Sequence, residues 1–169
     1  MSKLYVFGIG GTGSRVLRSL TMMLAAGVKT PQSEMVPIVI DPDSANADLT
    51  RTVALMNKYG TLRQQLTFPE KGHGTFFKTK IDRLLPNYNL LIKDTEDRQF
   101  QQFIELPAIS KKNQAMMRML FSEKNLASSM NVGFKGNPNI GSVVLNQIVN
   151  SEDFITFANS FVKATRYSS

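Results

Sequence analysis

The sequence predicts an α/β fold, a parallel sheet with helices on both faces. Three observations carry it. A short apolar strand runs into a glycine turn and then an amphipathic helix. A second apolar strand follows that helix. The composition is globular, with 42% hydrophobic and 20% charged residues in a chain of 169.

Residues 3–7 (Lys-Leu-Tyr-Val-Phe) read as the first strand, and residues 8–13 (Gly-Ile-Gly-Gly-Thr-Gly) as a turn. From Ser14 to about Ala26 the pattern is helical. Val16, Leu17, Leu20, Met23 and Leu24 recur at three- and four-residue steps, with Arg15 and Arg18 off that stripe. Gly27 closes the helix as a C-cap. Residues 35–40 (Met-Val-Pro-Ile-Val-Ile) form the second strand, followed at once by Asp41-Pro42-Asp43. Strand, turn, helix and strand make one βαβ unit. Asp43 or Ser44 can cap a further helix over about 45–59, with Leu49, Val53, Leu55 and Met56 on its apolar side. Gly60 is expected to stop it.

Residues 61–107 hold Pro69, Pro86, Pro107 and the tip Gly72-His73-Gly74, and read as an irregular insert. Short helices are expected in it over 76–85 and 96–105. A helical part follows over 108–169, with helices at 109–128, 142–149 and 152–165. A glycine–asparagine loop, 131–141, separates the first two. The methionines at 116–119 read as core filler. Glu96-Asp97 and Glu152-Asp153 read as solvated helix starts. His73 reads as an exposed loop residue. Only two strands are secure, and parallel sheets normally have more. The last helix has no return strand. The expectation is therefore the N-terminal part of a longer protein, or a chain that needs a partner to complete its sheet.

Composition excludes several chemistries. With no cysteine there is no disulfide framework, thiolate zinc site, iron–sulfur cluster or cysteine nucleophile. One histidine cannot make a multi-histidine metal site. No apolar run reaches 18 residues, so no membrane span is expected. Met-Ser-Lys leads straight into the first strand with no secretory pattern, and a reducing, cytoplasmic setting is expected. The net charge of +7 favours anionic partners. The basic residues are scattered, and only Lys111 and Lys112 are adjacent. Aromatic residues do not interleave with them, which argues against a nucleic-acid groove.

Gly8-x-Gly10-x-x-Gly13 lies between a strand and a helix, the context of a dinucleotide fingerprint. Gly8 permits the turn out of the strand. Gly10 and Gly11 let a phosphate approach backbone N–H groups. Gly13 lets the helix pack close. Thr12 and Ser14 add hydroxyl donors. The helix N-terminus supplies unpaired N–H groups and the positive end of its dipole. Ser14-Arg15 follows Gly13 where a lysine-bearing phosphate loop would have Lys-Ser or Lys-Thr, so that loop is not present. Asp41 ends the second strand 28 positions after Gly13, where an acid can accept ribose hydroxyls. Asp43, Ser44 and Asn46 can face the same mouth.

The run Val6-Phe7-Gly8-Ile9-Gly10-Gly11-Thr12-Gly13-Ser14-Arg15, with Ile38-Val39-Ile40-Asp41-Pro42-Asp43 after it, resembles the start of the tubulin-like superfamily. That superfamily includes the bacterial cell-division GTPase. The run Gly133-Phe134-Lys135-Gly136-Asn137-Pro138-Asn139-Ile140-Gly141 is similar to a Gly-Phe-Arg-Gly-x-Pro-x-Ile-Gly stretch of bacterial tubulin-like proteins. The resemblance implies an incomplete, N-terminal portion of a Rossmann-like nucleotide domain. It implies GTP as ligand, with Mg possible, and filament assembly by the full-length protein. Gly10, Gly11, Thr12 and Gly13 would hold phosphates, and Asp41 and Asp43 would form the second loop of the site. The family's Gly-Gly-Gly-Thr-Gly-Ser loop and its catalytic acid are not among the 169 residues, so no catalytic residue is assigned. The expected partners are the nucleotide and either further copies or a longer parent chain.

Two other readings use the same turn. Gly8-x-Gly10-Gly11-x-Gly13-Ser14 with Leu24-x-x-Gly27-Val28 is similar to ATP-binding adenylating enzymes of the ubiquitin-activating type. Their thioester cysteine and zinc cysteines have no counterpart here. An NAD(P)-binding Rossmann domain also explains the fingerprint, but no acid–base residue accompanies it.

Overall fold

The computed structural model describes residues 3–43, 45–66, 76–92, 95–132, 136–149 and 152–166. It is an α/β structure with a mostly parallel sheet. Strand β1 (Lys3–Ile9) leads into helix α1 (Gly10–Ala25), strand β2 (Glu34–Asp41) and helix α2 (Ala47–Gln65). β1 and β2 pair in parallel without a break from Lys3↔Glu34 to Ile9↔Ile40. Gly27, at a φ of 91°, follows α1, and Val28 N–H returns to the Met23 carbonyl. This is the expected glycine stop.

Two short strands, β3 (Lys80–Ile81) and β4 (Asn89–Leu91), share the other edge of β2. Together they form one interrupted third line. Pro37 explains the interruption. The carbonyls of Ser33 and Met35 both face the third line, accepting from Lys80 N–H and Asp82 N–H at 2.8 Å each. Successive residues of a parallel strand alternate between its two neighbours. Position 37 therefore also faces the third line, and proline has no N–H to offer there. The ladder lapses opposite Pro37 and resumes at Val39↔Asn89.

The third line corrects the expected helix over 76–85. Its apolar spacing is real, but the free edge of β2 captures the backbone at residues 80–82. The segment expected to be an irregular insert thus contributes to the sheet. α2 also passes through Gly60 and ends at Gln65. A glycine in mid-helix costs only about 1 kcal/mol. Contacts on either side outweigh it: Tyr59 Oη donates to the Thr79 carbonyl at 2.6 Å, and Arg63 Nε to the Phe77 carbonyl at 3.1 Å.

Helices α1 and α2 cover the face that carries Leu4, Val6, Met35 and Val39. The opposite face carries Tyr5, Ile38, Ile40 and Leu90. It is covered by helices α3 (Phe100–Phe103), α4 (Lys111–Leu120), α5 (Glu123–Leu126), α6 (Pro138–Ile148) and α7 (Glu152–Arg166). The helix expected over 96–105 shrinks to α3, because Asp97 and Glu105 both take a positive φ. Glu96 and Asp97 lie in a turn before it and start no helix. The helix expected over 109–128 breaks at Phe121. That residue is extended and buries its ring edge-on to Phe100, centroids 5.0 Å apart, while Ser122 caps α5. α6 starts four residues before the expected Ser142, since Asn137 Oδ1 accepts from Asn139 N–H and Ile140 N–H ahead of Pro138. Proline at the first helical position favours that start. α7 matches its expectation within a residue, with Glu152 opening it.

The methionine stretch is not core filler. No residue of α4 is buried, and Met119 is 87% exposed. Only Met117 packs against the core from this group. His73, Ser44, Ser151 and Gly133–Lys135 of the second resemblance lie outside the described residues.

Candidate phosphate-binding site

The site is the junction between β1 and α1. α1 begins at Gly10, four residues before the expected Ser14, so Gly10–Gly13 are its first turn. Gly8 and Gly13 explain how the helix leaves the strand so steeply. A Cβ on Gly13 would sit 2.4 Å from the carbonyl carbon of Gly8, and one on Gly8 would sit 2.7 Å from Leu17 Cδ1. Only glycine fits at both positions. Gly10 has a φ of 64°, and beyond its chain neighbours and its own helix backbone no described atom lies within 4 Å of where its Cβ would be. Gly11 has a different neighbour. Its missing Cβ leaves room for Asn46 Nδ2, which would be 3.1 Å away.

The first four N–H groups of a helix have no partner within it. Ile9, at the N-cap, makes no side-chain hydrogen bond to them, and the first turn holds no acid. These donors and the positive end of the helix dipole open beyond the carboxyl ends of β1 and β2, where ligands bind on parallel sheets. Arg15 adds a cation. Its Nη2 donates to Thr12 Oγ1 at 3.3 Å, and its Nε lies 3.6 Å from Asp48 Oδ2. Arg18 also reaches Asp48, at 3.4 Å. Two guanidiniums against one carboxylate leave this corner positive. Thr12 is exposed. Ser14 is fully buried, and its hydroxyl has no hydrogen-bond partner.

The second loop is organised around Asp41. Its carboxylate is buried and accepts from Asp43 N–H at 3.0 Å and from Asn46 Nδ2 at 3.2 Å. Burial pushes its pKa above the ordinary carboxyl value, and the two donors pull against that shift. Asp41 therefore acts as the post of the turn, with neither oxygen turned to solvent. Asp43 is half-buried and accepts from Ala45 N–H at 3.0 Å. It does not cap α2. That cap is Asn46, whose Oδ1 accepts from Asp48 N–H at 2.8 Å.

Asn46 thus touches three parts at once: the carboxylate of Asp41, the first turn of α2 and the space beside Gly11. Sequence spacing placed it near the mouth but did not reveal this bridging. The Arg15–Arg18–Asp48 group was also missed, though the arginines' three-residue step was visible. The structure brings Gly8, Gly10, Gly11, Gly13, Asp41 and Asn46 together. Thr12 and Asp43 stand at the rim, and Ser14 is sealed beneath it. Beyond the first turn of α2 lies a cleft of about 670 Å³, between Leu49 and Val53 on α2 and Asn89 and Leu91 on β4. Among the described residues, no three histidine, aspartate or glutamate side chains group to hold a metal ion.

No protein-family profile, curated protein or solved structure matches the chain. No described helix is long and apolar enough to cross a membrane.

Proposed function

We propose that this chain is the N-terminal portion of a tubulin-like nucleotide domain, with the phosphates of GTP held by the first turn of α1. The carrying observation is that this turn is uncapped, free of acids and open above Gly10, at the carboxyl edge of a parallel sheet. Filament formation in a bacterial cytoplasm extends this reading, on the resemblance alone. The buried Asp41, with both oxygens engaged, weakens the NAD reading, which needs an acid free to accept ribose hydroxyls.

Thermal unfolding with GTP, ATP or NAD, with and without Mg, tests the proposal. A ligand at 100 times its Kd stabilises by about 2.7 kcal/mol, which moves the midpoint of a domain this size by several degrees. GTP alone is expected to do so. A shift with ATP alone or NAD alone would select the corresponding alternative, and no shift with any of them would reject a phosphate site. Thr12→Glu separates binding from folding. A carboxylate in the first turn should stabilise α1 by about 0.3–1 kcal/mol while repelling phosphate. The variant should melt at least as high as the parent and lose its response to GTP.

A further inference from the structure

Helix α4 departs in three ways from what the surface of a globular domain normally shows. Its apolar side faces outward. Gln114 and Met117, three residues apart, form the inner side. Gln114 Nε2 donates to the carbonyls of Pro107 and Ile109 at 3.3 and 2.9 Å, and Met117 packs on the core. With about 100° between successive residues, Lys112, Met116 and Met119 share the opposite side, with Leu120 one turn from Met116. Surface helices usually put polar side chains there. Instead Met116, Met119 and Leu120 are 56%, 87% and 64% exposed.

The charges are also placed against local preference. Lys111 and Lys112 occupy the first turn, where the positive end of the helix dipole disfavours cations, and no acid accompanies them. From Leu106 to Phe121 the chain holds no aspartate or glutamate. Arg118 is paired with Glu123 of α5, but among the described residues neither lysine has an ion pair. Single exposed apolar side chains are ordinary, whereas a cluster beside unpaired cations marks an interaction surface. Local rules broken together at one place point the same way.

The chemistry of this face selects what covers it. Apolar groups flanked by cations need a partner that is anionic at its surface and apolar within. A second copy of the chain has the wrong sign, since its own face is cationic and its net charge is +7. A protein groove would have to wrap a ridge, because none of the ten residues of α4 is buried. An anionic bilayer meets both needs with a flat surface. Methionine side chains bend to fit an irregular apolar medium. Lysine stems lie along that medium while their ammonium groups stay at the headgroups.

We propose that the outer face of α4 docks on an anionic lipid bilayer. Met116, Met119 and Leu120 enter the boundary between headgroups and acyl chains, and Lys111 and Lys112 meet the lipid phosphates. The helix lies in the plane of the interface and spans nothing.

The test uses the full chain with vesicles of phosphatidylcholine alone or with about 30% phosphatidylglycerol. Co-sedimentation is expected with the anionic vesicles only, and should weaken as salt rises and screens the lysines. The chain has no tryptophan, so Met119→Trp supplies a single reporter. Its emission should shift to the blue on the anionic vesicles and be quenched by lipids brominated on their acyl chains. Thr61→Trp, exposed on α2 over the other face of the sheet, should do neither. Met116→Gln with Met119→Gln should keep the parent's Tm and weaken binding to anionic vesicles at least about tenfold. Lys111→Glu with Lys112→Glu should raise the Tm slightly, since acids suit a first turn, and abolish binding. No binding to anionic vesicles would overturn the proposal. So would binding without a blue shift at residue 119, or binding kept by either pair of variants. A blue shift without vesicles that grows with protein concentration would assign the face to a second copy instead. A blue shift with an acidic, leucine-rich helical peptide but none with vesicles would assign it to a protein.

Discussion

The two faces of the sheet enclose their cores in different ways. Over one face lie α1 and α2, of 16 and 19 residues, each with its ends set by nearby residues. Gly27 stops α1, and Asn46 starts α2 beside Asp41. On the other face α3 and α5 have four residues each, and α4 buries none of its residues. Its core joins residues far apart in the chain: Ile38, Leu90, Phe100, Phe121, Leu126, Val144 and Phe157. The comparison teaches that the same sheet can be covered by elements whose form is local or by elements whose form depends on the core they meet. The candidate site belongs to the first kind.

Three substitutions would break or sharpen that contrast. Phe100→Ala should have the largest effect. Phe100 is fully buried and edge-on to Phe121, and such truncations cost about 3–5 kcal/mol. In urea unfolding the loss should be accompanied by exposure of Phe121, since the break at that residue exists to seat its ring. Gly13→Ala should cost less, about 2–3 kcal/mol, by overpacking. Its Cβ would meet backbone at 2.4 Å, which a rotamer change cannot relieve. If the cost fell below about 0.5 kcal/mol, the close junction of β1 and α1 would be wrongly described. Gly60→Ala should have the smallest effect and the opposite sign. It lies inside α2 with no atom near its Cβ position, so about 0.5–1 kcal/mol of stabilisation is expected by thermal melting.

The βαβ unit could be read from residues because each signal is short-range. Glycines 8–13 punctuate, apolar steps of three and four mark α1, and Asp41-Pro42-Asp43 ends β2. Such patterns report torsional preference and periodicity, which depend on neighbours a few positions away. Gly13 was placed against β1 for the right reason. Gly11 was assigned only to phosphate approach, but it also makes room for Asn46, a residue 35 positions on that no local pattern links to it.

Chain chemistry alone thus settled the class of fold, the glycine junction and the Gly27 stop of α1, since each depends on a handful of adjacent torsions. Tertiary packing decided the rest. It split the third strand at the level of Pro37, bent the chain at Phe121, carried α2 through Gly60 and turned Asp41 inward onto Asn46. At Phe121 and Gly60 a distant partner outweighed a local preference of about 1 kcal/mol, and which partner would arrive was a property of the assembled layers.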